Sequence, residues 1–540
     1  MKKILLLLFL FPSVLFAQLP NWSWAKKIGW INNDGSPYAI KTDDVGNSYV
    51  TGSFIDTLLT GSCTAYDTVP HAYVAKFDAS GTCQWVVGAQ GSGWSDGNGI
   101  TIDFTGAIWL AGDFIDTCII GNDTLISNGN YNFFVAKLDA AGNFLWAISD
   151  GGTKSDFATS VSADTAGNFY VSGAFDSIST IGTTNLTSYG SSDVFVCKYD
   201  QNGNSVWAVS AGSPDIESPY FSCTDKYGNT YLTGRFEDSI TIGSTTLLNA
   251  GGPFSDIYST KCDANGNFVW AKRIGGDNFP DYPGGISYDG LGNVYVSGQI
   301  GDSIVFASQW TMLYGLPDAF IAKYDANGNE VWFRNAGGYS EDYSKGIETD
   351  KAGNSYICGD IREFGWFIID DPPVYTAGYT DLFVAKYNTA GVFQWAKLAG
   401  GINFDHGRRI SIDQYGNSYV LGRFDSTAAF GPSINLTSYG GNDGVIAKID
   451  SSSSLSVQNI STSGFSISPN PTSGMFTVTS QEEITAIEIY NVLGETISSL
   501  SLGRGAGGEV EINLSAQSKG IYFIKVQCGD KVSTQKIVIQ

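Results

Sequence analysis

The chain writes one short phrase seven times: a turn of the form Gly-Asn (Gly-Ala in the copy at Gly106), an aromatic-aliphatic run and a second glycine. The copies begin at Gly46, Gly106, Gly167, Gly228, Gly292, Gly353 and Gly416, and they close at Gly52, Gly112, Gly173, Gly234, Gly298, Gly359 and Gly422. A fixed period of about sixty residues is the mark of stacked copies of one supersecondary unit. Each copy has a second half, an apolar run ending in lysine, then a Gly turn and a tryptophan, as in Phe134 to Asp139, Gly142-Asn143 and Trp146. The lysines are Lys76, Lys137, Lys198, Lys261, Lys323, Lys386 and Lys448, whereas the tryptophans after them are only Trp85, Trp146, Trp207, Trp270, Trp332 and Trp395. The seventh stands at the other end of the chain, where Trp22-Ser23-Trp24-Ala25-Lys26 has the tryptophan pattern with no lysine strand before it.

A unit of four strands, A to D, that is apolar on both faces must bury each face against a neighbour, and a ring of units leaves no terminal face. Strand D of the last unit then comes from the N-terminus, pairing with residues 443–450. The expected fold is all-β: a seven-bladed β-propeller over residues 18–450, closed by the N-terminal strand. An open solenoid needs polar capping repeats, and the first and last copies look like ordinary ones.

The 540 residues carry a formal charge of −23 and 43% apolar content, which predicts an acidic, soluble, monomeric chain of more than one domain. Nucleic acid is excluded as a partner, because no basic run offsets the acidic excess. Residues 1–17 have the basic head, apolar middle and small exit residue of a signal peptide, cleaved between Ala17 and Gln18. No later run reaches the roughly 18 apolar residues of a membrane span, so no transmembrane segment is expected. The eight cysteines fall where sister repeats hold other residues and read as buried single thiols; Cys63 and Cys83 share a repeat and are the one pair placed to bridge.

The A-B and C-D turns use the pattern Asp-x-x-Gly-Asn or close variants of it, for example Asp164 to Asn168 and Asp200 to Asn204. Asp accepts hydrogen bonds from the turn backbone and Gly takes the positive φ. The pattern resembles the Asp box of sialidases, but its glycine-to-tryptophan step is one residue too long, as in Gly328 to Trp332.

A serine run at 451–454 opens a linker that ends at 464, and residues 465–540 alternate as a small β-sandwich does. Pro469-Asn470-Pro471, Tyr490-Asn491 with Leu493-Gly494, Lys519-Gly520-Ile521-Tyr522 and the terminal Lys536-Ile537-Val538 strand together resemble the C-terminal sorting domain of the type IX secretion system of certain Gram-negative bacteria. The repeats, through Asp-x-x-Gly-Asn-x-Tyr-Val and Phe-Val-Ala-Lys-Tyr-Asp, resemble the SBBP family of β-propeller repeats. The first resemblance implies export by a type IX-like machinery acting on residues 465–540. The tail is then removed and the cargo is released or attached at the outer cell surface.

Each D-A crossover carries an acid ten or eleven positions after its tryptophan: Asp34, Asp96, Asp156, Glu217, Asp281, Asp342 and Asp405. Asp193, Asp256, Asp318, Asp381 and Asp443 precede strand C in five repeats, and His71 and Asn132 fill the other two slots. These acids predict a negative face around the channel, which either holds Ca2+, attracts cationic partners, or simply caps loops in every repeat. No other cofactor is implied. The repeated lysine reads as a blade-to-blade salt bridge.

Two histidines, His71 and His406, and the absence of a nucleophile elbow, a His-Glu-x-x-His motif or a phosphate loop argue against most enzyme classes. Paired carboxylates for glycoside hydrolysis or a lyase remain open. The sixth repeat, with Arg362-Glu363-Phe364-Gly365-Trp366 and Asp370-Asp371-Pro372-Pro373, is where a sugar cleft is expected. The function expected is a secreted or surface-displayed binding or scaffold module for a surface glycan or protein ligand, with a carbohydrate-active enzyme as the alternative.

Overall fold

The computed structural model describes residues 20–30, 35–311, 313–315, 317–365, 374–451, 465–480, 482–491, 495–501, 508–528 and 531–539. Ala17, Gln18 and Asp34 lie outside them, as do Trp366 and the Asp370 to Pro373 stretch. The described residues are all β, with no helix and hence none long and apolar enough to cross a membrane. The chain divides into two compact units, residues 1–453 and 454–540.

In the first unit a four-strand antiparallel meander recurs. In the third repeat strands A to D are Asp156–Ala163, Phe169–Phe175, Asp193–Tyr199 and Ser205–Ala211, paired in that order. The A-B turn is built as its residues dictate. Asp164 Oδ1 accepts the N–H groups of Ala166 and Asn168 at 2.8 and 3.0 Å, and Gly167 takes φ +84°. The last repeat has His406–Ile412, Ser418–Ala429 and Asn435–Ile449 as A to C, and its fourth strand is Trp22–Trp30 from the N-terminus. Trp24 there faces Lys448, as Trp207 faces Lys198.

The A strands touch in chain order: Ser36–Thr42, Ser95–Ile102, Asp156–Ala163, Glu217–Thr224, Tyr282–Tyr288, Tyr343–Thr349 and His406–Ile412, the last also touching the first. Apolar clusters form between successive repeats. One holds Trp109, Val135, Val161, Val171 and Phe195, and another spans the chain ends with Ile28, Val50, Tyr73, Leu421 and Ile446. In six of the seven D strands the tryptophan lies on the glycine of the next C-D turn. A side chain at Gly81, Gly142, Gly203 or Gly266 would meet the ring of Trp24, Trp85, Trp146 or Trp207, which is why both residues recur with the same period.

The B-C connections are strand-rich, which periodicity alone did not indicate. In the second to fourth repeats they carry a separate hairpin, such as Ile178–Ile181 with Thr184–Thr187. In the first and last repeats B and C simply run on. A non-glycine residue with positive φ bends the chain at this point, for example Asp116 at 60° and Ser177 at 64°. Each bend turns the hairpin onto the preceding crossover, giving the pairs Gly29↔Leu59, Gly91↔Cys118, Gly152↔Ser179 and Gly212↔Thr241. Cys63 and Cys83 form a disulfide within the first repeat, while Cys118, Cys197, Cys262 and Cys358 are buried free thiols.

In the second unit one sheet is Phe465–Ser468, Met475–Ser480 and Glu509–Asn513. The other is Thr496–Ser501, Ile484–Asn491, Gly520–Cys528 and Lys531–Ile539. Both contribute to one apolar core that includes Phe476, Val478, Ile487, Ile489, Ile512, Ile524 and Ile537.

Candidate functional site

The crossover acids are interior groups. Asp156, Glu217, Asp281, Asp342 and Asp405 are at most 2% exposed, and each accepts a main-chain N–H from four or five residues earlier: Gly152, Ser213, Gly276, Gly338 and Gly401, at 2.6–3.0 Å. Asp281, Asp342 and Asp405 also accept the N–H of Gly301, Arg362 and Asp425, each three residues after the closing glycine of strand B. Asp96 differs from them. The pairing register puts Ser95 opposite Phe114, where Asp156 stands opposite Phe175, so Ser95 occupies the slot and Asp96 lies one place further on, opposite Asp113. Counting from the tryptophan misses this single-residue slip.

The acids before strand C are equally enclosed. Asp193, Asp256, Asp318, Asp381 and Asp443 each accept an N–H from their own loop, at 2.5–3.0 Å. In three repeats they face the crossover acid across a glycine. A side chain at Gly275, Gly337 or Gly400 would meet Asp256 and Asp281, Asp318 and Asp342, or Asp381 and Asp405. Burial is the main cause of their raised pKa values: about 6 for Asp156 and Asp405, about 7 for Glu217 and Asp281, about 8 for Asp342. His71 takes the equivalent place in the first repeat, its Nδ1 2.8 Å from Asp67. These groups cap loops rather than display charge. Among the described residues no three Asp, Glu, His or Cys side chains gather as a group that could hold a metal ion.

The repeated lysine is not a salt bridge between blades. Its ammonium lies over the ring at the second position of strand B in its own sheet: Lys137 over Trp109 at 4.3 Å, Lys386 over Tyr356 at 4.7 Å and Lys448 over Tyr419 at 5.5 Å. That ring in turn donates to the turn aspartate, as Trp109 does to Asp103 at 3.0 Å and Tyr170 to Asp164 at 3.0 Å. Lys76 and Lys323 add a hydrogen bond to a carbonyl of the next repeat, Ala140 and Thr389. A cation over an aromatic face tolerates partial burial that a bare ammonium does not. In the sixth repeat Arg362 pairs with Glu341 at 2.9 Å.

Where the A strands meet they enclose a cavity of about 360 Å3. It is crossed by an Arg409 guanidinium lying 4.2 Å from the Phe221 ring centre, between the last and fourth repeats. Lys41 and Glu348 form a 3.0 Å ion pair in its lining. Its hydroxyls largely satisfy one another, as in Ser162 with Thr224 at 2.6 Å and Ser287 with Thr349 at 2.8 Å.

Strand A carries a bulge in every repeat at Tyr38, Asn98, Thr159, Tyr220, Gly284, Lys345 and Arg408. Beside them, one place after the closing glycine of strand B, stand Ser53, Asp113, Ala174, Arg235, Gln299, Asp360 and Arg423. Framework positions keep their residue from repeat to repeat, and these do not. That break in symmetry marks the candidate site. The signal was present in the sequence as variability directly after an invariant glycine.

Residues 466–540 match the family model of the secretion system C-terminal sorting domain. The chain thus carries a type IX sorting domain, which indicates secretion or placement on the outer surface in Bacteroidetes-type bacteria and implies interaction with the secretion machinery. The chain is also similar to an uncharacterized WD repeat-containing protein of Acanthamoeba polyphaga mimivirus, 24% identical over 397 residues, which covers 58% of this chain and 28% of that protein. Among solved structures, Sqt1 from Chaetomium thermophilum aligns at a TM-score of 0.37 with 9% identity, over 80% of this chain and 99% of that one. A gluconolactonase from Xanthomonas campestris aligns at 0.29 with 11% identity, over 66% and 97%.

Proposed function

We propose that this chain is a secreted or cell-surface binding or scaffold module. In this reading it is a seven-bladed β-propeller of SBBP-type repeats, followed by a small β-sandwich that is the sorting domain and is removed after export. Cyclic contact of the A strands and an N-terminal strand D on the last repeat support the ring. The observation that carries the binding role is the contrast between a repeated interior and a varied channel mouth, since a ligand needs one arrangement of groups and a framework needs the same one in every repeat. A surface glycan or a protein is the expected ligand class.

The role is non-catalytic. A glycosidase needs two accessible carboxyl groups about 5–9.5 Å apart, and the recurring acids are spent on main-chain N–H groups. Glycan and protein arrays probed with the exported chain, followed by reducing-sugar assays on every hit, test this: binding without product supports a binding module, and product formation overturns it. Mass spectrometry of medium and envelope tests the export route, which recovery of an intact tail on extracellular protein would contradict.

A further inference from the structure

Of the three arginines at these varied positions of strands A and B, Arg235 lies 5.4 Å over the Tyr282 ring, whereas Arg408 and Arg423 have nearby carboxylates that are committed elsewhere. Arg408 stands at the bulge of the last strand A, and Arg423 lies on strand B opposite His406. Tyr38, on the first strand A, interacts electrostatically with both arginines. Burial holds both guanidiniums below their ordinary pKa, and the charge of Arg423 depresses Arg408 further. Among the described residues the Arg408 guanidinium makes no hydrogen bond or ion pair. Arg423 Nε is buried without a partner, and its Nη2 reaches only the Gly35 carbonyl, at 3.4 Å.

Asp360 already accepts from Lys345, from His406 Nδ1 at 2.9 Å and from the Gly407 N–H at 3.1 Å. Asp443 accepts the Tyr439 N–H at 2.7 Å and faces Lys27 at 4.0 Å. Asp96 and Asp113 oppose each other. Burial and Asp96 push Asp113 up to about 8, so that pair keeps a proton at neutral pH. Arg409 lines the central cavity, where its Nη1 donates to the carbonyls of Lys345 and Arg408, both at 2.7 Å, and its guanidinium lies over the Phe221 ring.

Partly buried guanidinium forks with no ion-pair partner among the described residues match an oxyanion, which accepts two parallel N–H bonds from each. A tyrosine hydroxyl adds a third donor. The half-buried ring of Tyr220 at the bulge of the fourth strand A, together with acceptors such as Asp96, suits a flat ligand rich in hydroxyls. We propose that Arg408, Arg423 and Tyr38 bind the anionic group, a carboxylate or a sulfate ester, of an acidic glycan. The proposal rests on the binding-module reading and names its ligand class.

The test is calorimetric titration of the full exported chain with oligogalacturonate, a sulfated galactan oligosaccharide, a neutral galactan oligosaccharide and an acidic hexapeptide. At least one acidic glycan is expected to bind, with affinity falling as salt rises, and the neutral one is not. Whichever acidic glycan binds identifies the anionic group. Arg408→Gln and Arg423→Gln each weaken binding by about tenfold or more, and Tyr38→Phe by less, all with unchanged melting. Equal binding of the neutral glycan, tighter binding of the peptide, indifference to the arginine variants, or no binding of either acidic glycan overturns the proposal. An array hit on another ligand that survives Arg408→Gln and Arg423→Gln overturns the proposal alone. An array without hits removes the binding-module reading as well.

Discussion

Trp24 lies opposite Lys448 in the register in which Trp146 lies opposite Lys137, so the N-terminal strand supplies the last repeat with the same fourth strand that every other repeat makes for itself. Trp24 also reaches forward, donating its indole N–H to the Ala79 carbonyl at 3.0 Å and meeting the edge of the Tyr419 ring. One side chain thereby ties the last repeat to the first. Trp24→Ala removes a half-buried ring at this seam and is expected to cost about 2–3 kcal/mol, below the usual range for a fully buried tryptophan. Thermal unfolding followed by tryptophan fluorescence checks it. A melting temperature equal to wild type would show that the seam carries no load.

The buried acids set a pH dependence opposite to the usual acid lability. In the unfolded chain they ionise near pH 4. In the fold Asp156, Glu217, Asp281, Asp342 and Asp405 hold their protons to about 6–8. Between those limits the folded state binds more protons, so this contribution is fully present below about pH 4 and is lost as pH rises through 6–8. The melting temperature is expected to be higher at pH 5.5 than at pH 8.5. Asp156→Asn, whose amide oxygen still accepts the Gly152 N–H while its amide nitrogen stands in for the protonated oxygen, is expected to flatten that slope. The second repeat already places a neutral Asn132 beside it, at Gly151.

Much of this architecture could be read from the chain because its contacts repeat. Trp146 on Gly203 is the same event as Trp207 on Gly266, so both residues recur with one period. Contacts that depend on register or on ring closure could not be read in this way. Ser95 displaces Asp96 through a slip of one residue, which spacing from Trp85 does not resolve. Arg408 and Tyr38 are neighbours only because the last strand A touches the first. The lysine was seen to recur, but the partner its copies share is a ring, and the carboxylates that Lys386 and Lys448 also meet, Asp350 and Asp450, belong to the same repeat rather than the next. Strand alternation places Lys137 beside Trp109 only once the B-C pairing is known.

The disulfide of the first repeat is expected to be a local staple. Cys63 and Cys83 are separated by 20 residues, and their bond joins the B-C hairpin tip to the start of strand D. Closing a loop of that length is worth roughly 3 kcal/mol. Reduction, or a Cys63→Ser/Cys83→Ser double variant, is expected to lower the melting temperature. Meanwhile the buried Cys118, Cys197, Cys262 and Cys358 stay unlabelled by a thiol reagent until the chain unfolds. Labelling of these four thiols in the native protein would contradict the packing described.

In the sorting domain Asn470 holds the terminal strand from the side. Its Nδ2 donates to the Lys536 carbonyl at 2.7 Å, and its Oδ1 accepts the Val538 N–H at 3.0 Å. The neighbouring Thr472 N–H donates to the Val538 carbonyl at 2.8 Å. Lys531–Ile539 is an edge strand paired with Gly520–Cys528, so these bonds close its otherwise open side. Asn470→Ala removes two of them at an exposed position where water partly substitutes, a loss of about 1 kcal/mol confined to this unit. A type IX machinery that reads the folded tail is then expected to export less, leaving the chain in the periplasm. Asn470→Asp, which keeps the acceptor for Val538 but loses the donor to Lys536, should fall between the two. Immunoblots of medium, envelope and periplasm from cells expressing each variant measure the distribution. Export of Asn470→Ala at the wild-type level would show that the tail is recognised through some other feature than this pinned strand.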